Sequence, residues 1–397
     1  MQLPLTATVF AALGAWLILL FGRGGFWRAR LDGHLGARPA AGGSRPTVYA
    51  VVPARNEAAV VGEAIGSLIA QEYAGTFAIF LVDDHSTDGT AQVAQATAGG
   101  HEAAARLTVV QAAPLEAGWT GKLSAMHSGV RAALAHLPPP DYWLFTDADI
   151  RHDPLNVESL VSKVQEDDLA LVSLMVRLRC ASAWERLLIP AFVFFFQKLY
   201  PFAWVNDRAR ATAAAAGGCM LLANRTLCEI GGLPAIRGRL IDDCALGAAV
   251  KATGASIWLG LTDLTSSIRC YDTLGEVWSM VKRTAYTQLG YSPYRLLLTV
   301  AGMLLLYVAP IAALTAGLLL RDGILCVLSL ATLGLIAIAY GGTVRAYRLP
   351  RRWTLTLPLA AAMYTAMTVD SALAYAQSRG GGWKGRTYAP AGDQGQV

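Results

Sequence analysis

The sequence predicts an α/β domain built on a mostly parallel sheet, placed between one N-terminal and several C-terminal membrane helices. Three observations predict it. The 397 residues are 54% hydrophobic and only 15% charged, a balance unlike that of a soluble domain. Uncharged apolar runs of spanning length, about 20 residues, stand near both ends. Between them, short β-branched runs alternate with Ala-rich helical stretches, the alternation that builds parallel sheets.

Residues 1–22 read as a transmembrane helix, because 2–22 carry no charge. A cleaved signal needs positive charge ahead of its apolar run, whereas Arg23, Arg28, Arg30 and Arg38 follow this one and hold the next domain in the cytoplasm. A juxtamembrane linker occupies 23–45, with the Gly- and Pro-rich HLGARPAAGGSRP at 34–46. The α/β domain covers 46–292, with strands at 47–54, 77–84, 107–112, 142–149 and 169–176. Inside it, WERLLIPAFVFFFQKLYPFAW at 184–204 is too short between its charges and prolines to span; Trp184, Tyr200 and Trp204 suit an interfacial helix, with a buried core helix as the alternative. Three membrane segments fill 293–378, at 296–320, 323–344 and 353–378, and Arg345, Arg348, Arg351 and Arg352 place the loop before the last one inside. Four crossings would put the tail 379–397, with Arg379, Lys384 and Arg386, outside, against that same charge bias. Asp370 in the last segment fits either an interfacial or re-entrant helix or a functional carboxylate, and both readings stay open. Together these features predict a multi-pass protein of the inner, cytoplasmic membrane.

Several function classes are excluded. A net charge of +5, spread along the chain, is too mild for a nucleic-acid surface. Six cysteines without a CxxC pair suggest neither a zinc site nor a disulfide framework. GWTGKL at 118–123 lacks the first glycine of a phosphate-binding P-loop, and no GxGxxG follows the first strand. His85, His101, His127, His136 and His152 show no ligand spacing and read as surface polar residues. One carboxylate, Asp370, inside the apolar segments gives a transporter little from which to build a polar pathway.

In open α/β sheets ligands bind beyond the carboxyl ends of the strands, and four such ends carry chemistry here. Asn56 and Glu57 follow the first strand at a helix N-terminus, where a plain cap explains them as well as a ligand does. Asp83 and Asp84 end the second strand, ahead of a turn whose Asp88 reads as the cap of the next helix. Asp147 and Asp149 share one face of an extended chain after the strand YWLF, a hard oxygen pair suited to Mg²⁺ or Mn²⁺ already carried by phosphates. Asp242 and Asp243 precede a further helix; capping needs one acid, and the other is available as a general base.

In order, PARNEA, LVDDHSTDGT, GWTGK, FTDAD, AGGCML and LIDDC resemble the family-2 glycosyltransferases of the GT-A fold, whose sheet is Rossmann-like. GWTGKLSAMHSG, LIPAFVFFFQKLYPFAWVND, IDDCALG and MVKRTAYTQLGYSP are similar to the hopanoid-biosynthesis-associated glycosyltransferases, a likeness that covers most of the chain. The resemblance implies that Pro53, Ala54, Arg55, Asn56, Glu57 and Asp84 hold the nucleotide of a nucleotide-sugar donor, usually UDP-linked, with Lys122 and Asp147 nearby. It implies that Asp147 and Asp149 form the metal-binding DxD pair and that Asp243 is the catalytic base. Asp242, Gly217, Gly218 and Cys219 would lie by the acceptor. Processive relatives carry Gln-x-x-Arg-Trp; here only Arg283 matches, with Met280 and Thr284 in place of Gln and Trp, which argues against a polymerising synthase and leaves Arg283 to neutralise the departing diphosphate.

The reaction these readings imply is inverting, metal-dependent transfer of a hexosyl or N-acetylhexosaminyl group to a lipid acceptor at the membrane, a hopanoid under the resemblance. Two alternatives stand beside it. One is a polyprenyl-phosphate sugar synthase, whose attacking phosphate needs no base; the other is a membrane protein that binds nucleotide-sugar without turnover.

Overall fold

The computed structural model describes residues 2–31, 45–101, 104–377, 379–380, 382–383 and 386–387. The linker read at 23–45 and the tail read at 379–397 lie largely outside the described residues.

In chain order the elements are α1 (Gln2–Gly22), β1 (Val48–Ala54), α2 (Ala58–Ile69), β2 (Phe77–Asp83), α3 (Thr90–Gly99), β3 (Leu107–Gln111), α4 (Gly121–His136), β4 (Tyr142–Thr146), β5 (Ile150–His152), α5 (Asn156–Glu166) and β6 (Leu171–Arg177). There follow α6 (Ala183–Leu199), α7 (Phe202–Val205), β7 (Cys219–Ala223), α8 (Asn224–Glu229), α9 (Asp242–Ala252), β8 (Ile257–Ser267), α10 (Leu274–Lys282), α11 (Ala285–Gln288) and α12 (Pro293–Met303). A π-turn (Leu304–Val308) joins α12 to α13 (Ala309–Leu320), and α14 (Gly323–Ala346), a 3₁₀ turn (Arg351–Thr356) and α15 (Leu357–Ala376) complete the helices.

Two compact units result. One gathers 31–179, 204–270 and 382–397; the other gathers 1–30, 180–203 and 271–381. Read from sequence, 46–292 is one domain, whereas the contacts group 180–203 and 271–292 with the apolar helices. The reason is visible in α6, whose Leu188, Ile189, Ala191, Val193 and Phe194 are fully buried, which is the packing of the core-helix alternative. The single element read at 184–204 also breaks, since α6 stops at Leu199 before Pro201 and α7 is separate.

The first unit is an eight-stranded sheet in the order β3-β2-β1-β4-β7-β6-β8-β5. The half β3-β2-β1-β4 is parallel, as the βα alternation requires, while β7 runs antiparallel between β4 and β6, and β5 runs antiparallel to β8. All seven residues of β1 are buried, the burial expected for a central parallel strand covered on both faces. The strand read at 142–149 ends at Thr146, because Asp147–Asp149 turn away from the ladder. His152, read as surface, is 3% exposed: it accepts from Asn156 Nδ2 at 3.0 Å, its other ring nitrogen meets Thr146 Oγ1 at 3.0 Å, and burial pushes it down to about 3, so it stays neutral.

In the second unit, Pro4–Gly22, Pro293–Leu320, Gly323–Ala346 and Arg351–Ala376 are long and apolar enough to cross a membrane. Asp370 accepts from Trp278 Nε1 at 2.7 Å and from Lys282 Nζ at 2.8 Å, so α10 supplies its partners.

Helix α4 seats directly on β1 and β2 through Gly129, where an added Cβ would stand 2.6 Å from Val51 Cγ1 and 2.7 Å from Val82 Cγ2. The expected result of Gly129→Ala is a lower thermal midpoint, from about 1–3 kcal/mol of overpacking, measured on the detergent-solubilised protein. A midpoint equal to wild type would show that the helix can lift off the sheet without cost.

Candidate active site

The site grows from two loops at the carboxyl ends of β1 and β2. The loops are laced together. The Asp84 amide donates to the Ala54 carbonyl at 2.8 Å, and Arg55 Nη1 donates to the Asp84 carbonyl at 2.5 Å with the Asp84 carboxylate 3.7 Å away. Asn56 holds a left-handed backbone, φ 51°, which Asn tolerates better than most residues. Its amide donates to Ser86 Oγ at 3.0 Å, and its side-chain oxygen accepts from the Thr87 amide at 2.9 Å.

Asp88 bonds the first amide of the helix that follows it, as its position in sequence suggests, and reaches the preceding helix as well. Gly89 is the N-cap residue of α3, Asp88 Oδ1 accepts from the Thr90 amide, the first of α3, at 3.1 Å, and Asp88 Oδ2 accepts from the Ala58 amide, the first of α2, at 2.9 Å. The Glu57 amide is taken at 2.9 Å by Thr90 Oγ1. Thus the turn after β2 caps the helix after β1, and orphan donors at the start of α2 are satisfied across the loops. Slight burial raises the Asp88 carboxyl, but hydrogen bonds from Thr90 and the Ala58 amide outweigh it and hold the group below the usual carboxylate range.

The Glu57 carboxylate faces Arg269, which donates through Nη2 to both oxygens at 2.6 and 2.7 Å. The same guanidinium donates through Nε to Asp149 Oδ2 at 2.6 Å. Burial alone would lower the Arg269 proton affinity; Asp149 and Glu57 raise it instead. Asp149 is raised, first by burial and then by the neighbouring Asp147 charge, with Arg269 opposing. Sequence reading missed Arg269, which lies just beyond β8, a strand whose run is interrupted by Gly260 and Asp263.

A second cation answers the remaining acids. Lys122 stands in the first turn of α4, where the helix dipole disfavours positive charge. It is held there by Asp147 Oδ1 at 2.8 Å and by Asp242 Oδ2 at 3.1 Å, the latter an ion pair off the hydrogen-bonding direction. Burial lowers the Lys122 proton affinity, and Asp147 and Asp242 raise it further than burial lowers it, so the ammonium stays charged.

Asp242 and Asp243 open α9, acids placed where the helix dipole favours them. Asp243 accepts from the Gly217 amide at 2.9 Å through Oδ2 and from the Cys244 amide at 2.7 Å through Oδ1, leaving a lone pair on each oxygen. Burial, then repulsion from Asp242, push Asp243 up to about 6. Gly217 lets this cluster close up, since a Cβ would stand 3.2 Å from Lys122 Nζ and 3.3 Å from Asp243 Oδ2 and would press on both.

Pro53, Ala54, Arg55, Asn56, Glu57, Asp84, Lys122, Asp147, Asp149, Asp242 and Asp243 therefore share the ends of β1, β2 and β4 and the starts of α2, α4 and α9, with Gly217, just ahead of β7, against Asp243. Gly218 serves packing, because a Cβ there would meet Val176 Cγ2 at 2.6 Å. The Cys219 side chain, read as lying by an acceptor, is fully buried in β7, where burial pushes its thiol up to about 12. Arg283 caps the C-terminus of α10 in the other unit. Among the described residues no three His, Cys, Asp or Glu side chains converge into a metal cage. The Asp147 and Asp149 carboxylates, the first of which raises the charge cost of the second, still fit a divalent cation of the Mg²⁺ or Mn²⁺ type that takes its other ligands from phosphates and water.

Residues 49–225 match the family described as glycosyl transferase family 2. None of the curated proteins matches the chain. Among solved structures, the chain is similar to the mannosyltransferase PcManGT from Pyrobaculum calidifontis in complex with GDP-Man and Mn²⁺, at 20% identity and a TM-score of 0.56, over 93% of this chain and 98% of that one. Two further likenesses are glucosyl-3-phosphoglycerate synthase from Mycobacterium tuberculosis (20% identity, 62% and 79% covered, TM-score 0.40) and S. aureus TarS 1–349 with UDP-GlcNAc (15%, 83% and 92%, 0.39). The likeness to PcManGT is one of fold, and the match to glycosyl transferase family 2 spans 49–225, fewer than half of the residues.

Arg269→Met would leave Glu57 and Asp149 without their shared cation. The expected cost is about 3 kcal/mol, because removing one partner of a largely buried pair strands the other charges. Stranded acids have raised affinities for protons in the folded state, so the penalty is present at high pH and fades as they protonate. The gap in unfolding midpoint between variant and wild type should be wide at pH 8 and narrow at pH 5; a gap independent of pH would contradict the arrangement.

Proposed function

We propose that this protein transfers a sugar from a nucleotide-sugar to a lipid hydroxyl at a membrane face, with inversion at the anomeric carbon. The observation that carries the reading is Asp243, a buried carboxylate pushed up to about 6 and held by two amides beside the Asp147–Lys122–Asp242 cluster. A base of that strength is ionised at neutral pH yet basic enough to take a hydroxyl proton as the bond to the sugar forms. One base on the face opposite the leaving group suffices for inversion.

The laced loops after β1 and β2 give the nucleotide a preformed wall, with Asp84 and the Arg55 guanidinium as its polar groups. Asp147 and Asp149 would hold the divalent cation, which supplies positive charge to the departing diphosphate. Arg269 fixes the Asp149 carboxylate and Lys122 fixes that of Asp147, so both acids are oriented before the donor arrives. The apolar helices support a lipid acceptor. A site at a membrane face spares that acceptor transfer into water at about 0.8 kcal/mol per exposed methylene. The sequence resemblance supports a hopanoid polyol and a UDP-linked donor, whereas PcManGT, similar in fold, was solved with GDP-Man.

The test uses membranes containing the protein, incubated with labelled UDP- and GDP-sugars and extracted for lipid. Label should enter the organic phase, and Asp243→Asn should lower the rate by about 10²–10⁴-fold. The wild-type rate under limiting donor should fall as pH drops through about 6, where Asp243 gains its proton. Wild-type turnover by Asp243→Asn would sink the base assignment and favour a phosphate as the attacking group.

A further inference from the structure

The buried side chains of the apolar unit form two groups along α1. Val9 packs with Ala313 of α13 and Leu325 of α14, near the Arg321-Asp322 turn. Trp16 and Leu20, toward the basic end of α1, pack with Tyr307, Ile336, Ala339, Tyr340 and Val344. At 1.5 Å per residue Val9 and Leu20 are about 16 Å apart, so in a bilayer crossed by α1 the two groups would fall in opposite halves.

Leu357, Ala360, Ala361, Tyr364 and Met367 of α15 all belong to the group at the basic end, and no residue of α15 joins the other. The C-terminal half of α15 turns toward the same end. Asp370 is bonded by Trp278 and Lys282 of α10; Ser371 Oγ donates to the Lys282 carbonyl at 2.5 Å and accepts from the Tyr286 amide of α11 at 3.1 Å. The Tyr375 and Tyr291 hydroxyls meet at 2.8 Å, beside the start of α12. α1 and α13 run alongside α14, whereas α15 packs on α6, α10, α11, α12 and the π-turn and touches α14 only slightly. It is also 50% buried over its most apolar window, against 22%, 17% and 33% for the other three candidate spans.

What α15 leaves outward is a single stripe. Leu355, Leu359, Ala362, Ala366, Leu373 and Ala376 are exposed at helical spacing, without a polar member. Exposed Arg351 and Arg352 precede the helix and exposed Arg379 follows it, the charges that anionic headgroups attract.

We propose that α15 lies in the plane of the membrane surface at the basic end of α1, its apolar stripe on the lipid acyl chains, so that the chain crosses the bilayer three times. Asp370 then needs no pathway across the membrane; it pins the in-plane helix to α10. Arg379 falls on the same face as Arg23 and Arg345, which removes the conflict between four crossings and the charge bias.

Three crossings put the two chain termini on opposite faces, and four put them on one face. The test attaches short protease-cleavable tags to both ends of the full-length chain and treats sealed vesicles of defined orientation with protease. One tag lost at once and the other lost only after detergent is the expected result. Loss of both tags, or protection of both, before detergent would overturn the proposal.

Discussion

Crowding of negative charge at one edge of the sheet is the constraint on which the site depends. Glu57, Asp147, Asp149, Asp242 and Asp243 come from three separate strand ends and helix starts, and they repel one another. Two cations keep them folded together: Arg269 between Glu57 and Asp149, and Lys122 between Asp147 and Asp242. Each cation contacts acids of two different segments, so neither can leave without freeing a pair of loops. Burial, and then the same crowding, raise Asp243 toward the strength the proposed base requires, so charge that costs stability is charge that chemistry could use.

Around this centre the backbone is fixed by exchange between neighbours. Ser86, Asp88 and Thr90, from the turn after β2, take the amides of Asn56, Ala58 and Glu57. The acids and hydroxyls of that turn are therefore occupied with the adjoining loop. Beneath it, the neutral His152, bonded to Asn156 and Thr146, ties α5 to β4 at the root of the Asp147–Asp149 turn, and Thr146 passes the connection on to the Gly218 carbonyl at 2.7 Å.

Much of this was legible in the sequence, and what was not has local reasons. The parallel half of the sheet announced itself because β1, β2 and β4 are largely buried apolar runs, with acids at or shortly beyond their ends. β7 is only five residues long, in a segment rich in Ala and Gly, and β8 is broken by Gly260 and Asp263, so neither gave a periodic signal. Arg269 was invisible for the same cause, since a residue beyond an unread strand end has no reason to be singled out. Asp88 was read for the helix it precedes, whose Thr90 amide it takes, but its second partner, Ala58, lies 30 residues earlier, where proximity gives no hint of it. The burial of His152 and Cys219 follows from strand pairing in β5 and β7, which composition does not reveal.

Under the proposed function these acids meet a cation and a diphosphate together, with Asp147 and Asp149 as the carboxylates offered to the metal. Binding of Mn²⁺ to the purified protein, followed by the loss of its free-ion magnetic resonance signal, tests this directly. With two carboxylate ligands, Mn²⁺ should bind weakly alone and at least about tenfold more tightly when uridine or guanosine diphosphate is present, and the diphosphate should gain the same factor from Mn²⁺. Equal Mn²⁺ affinity with and without either nucleotide would contradict the account.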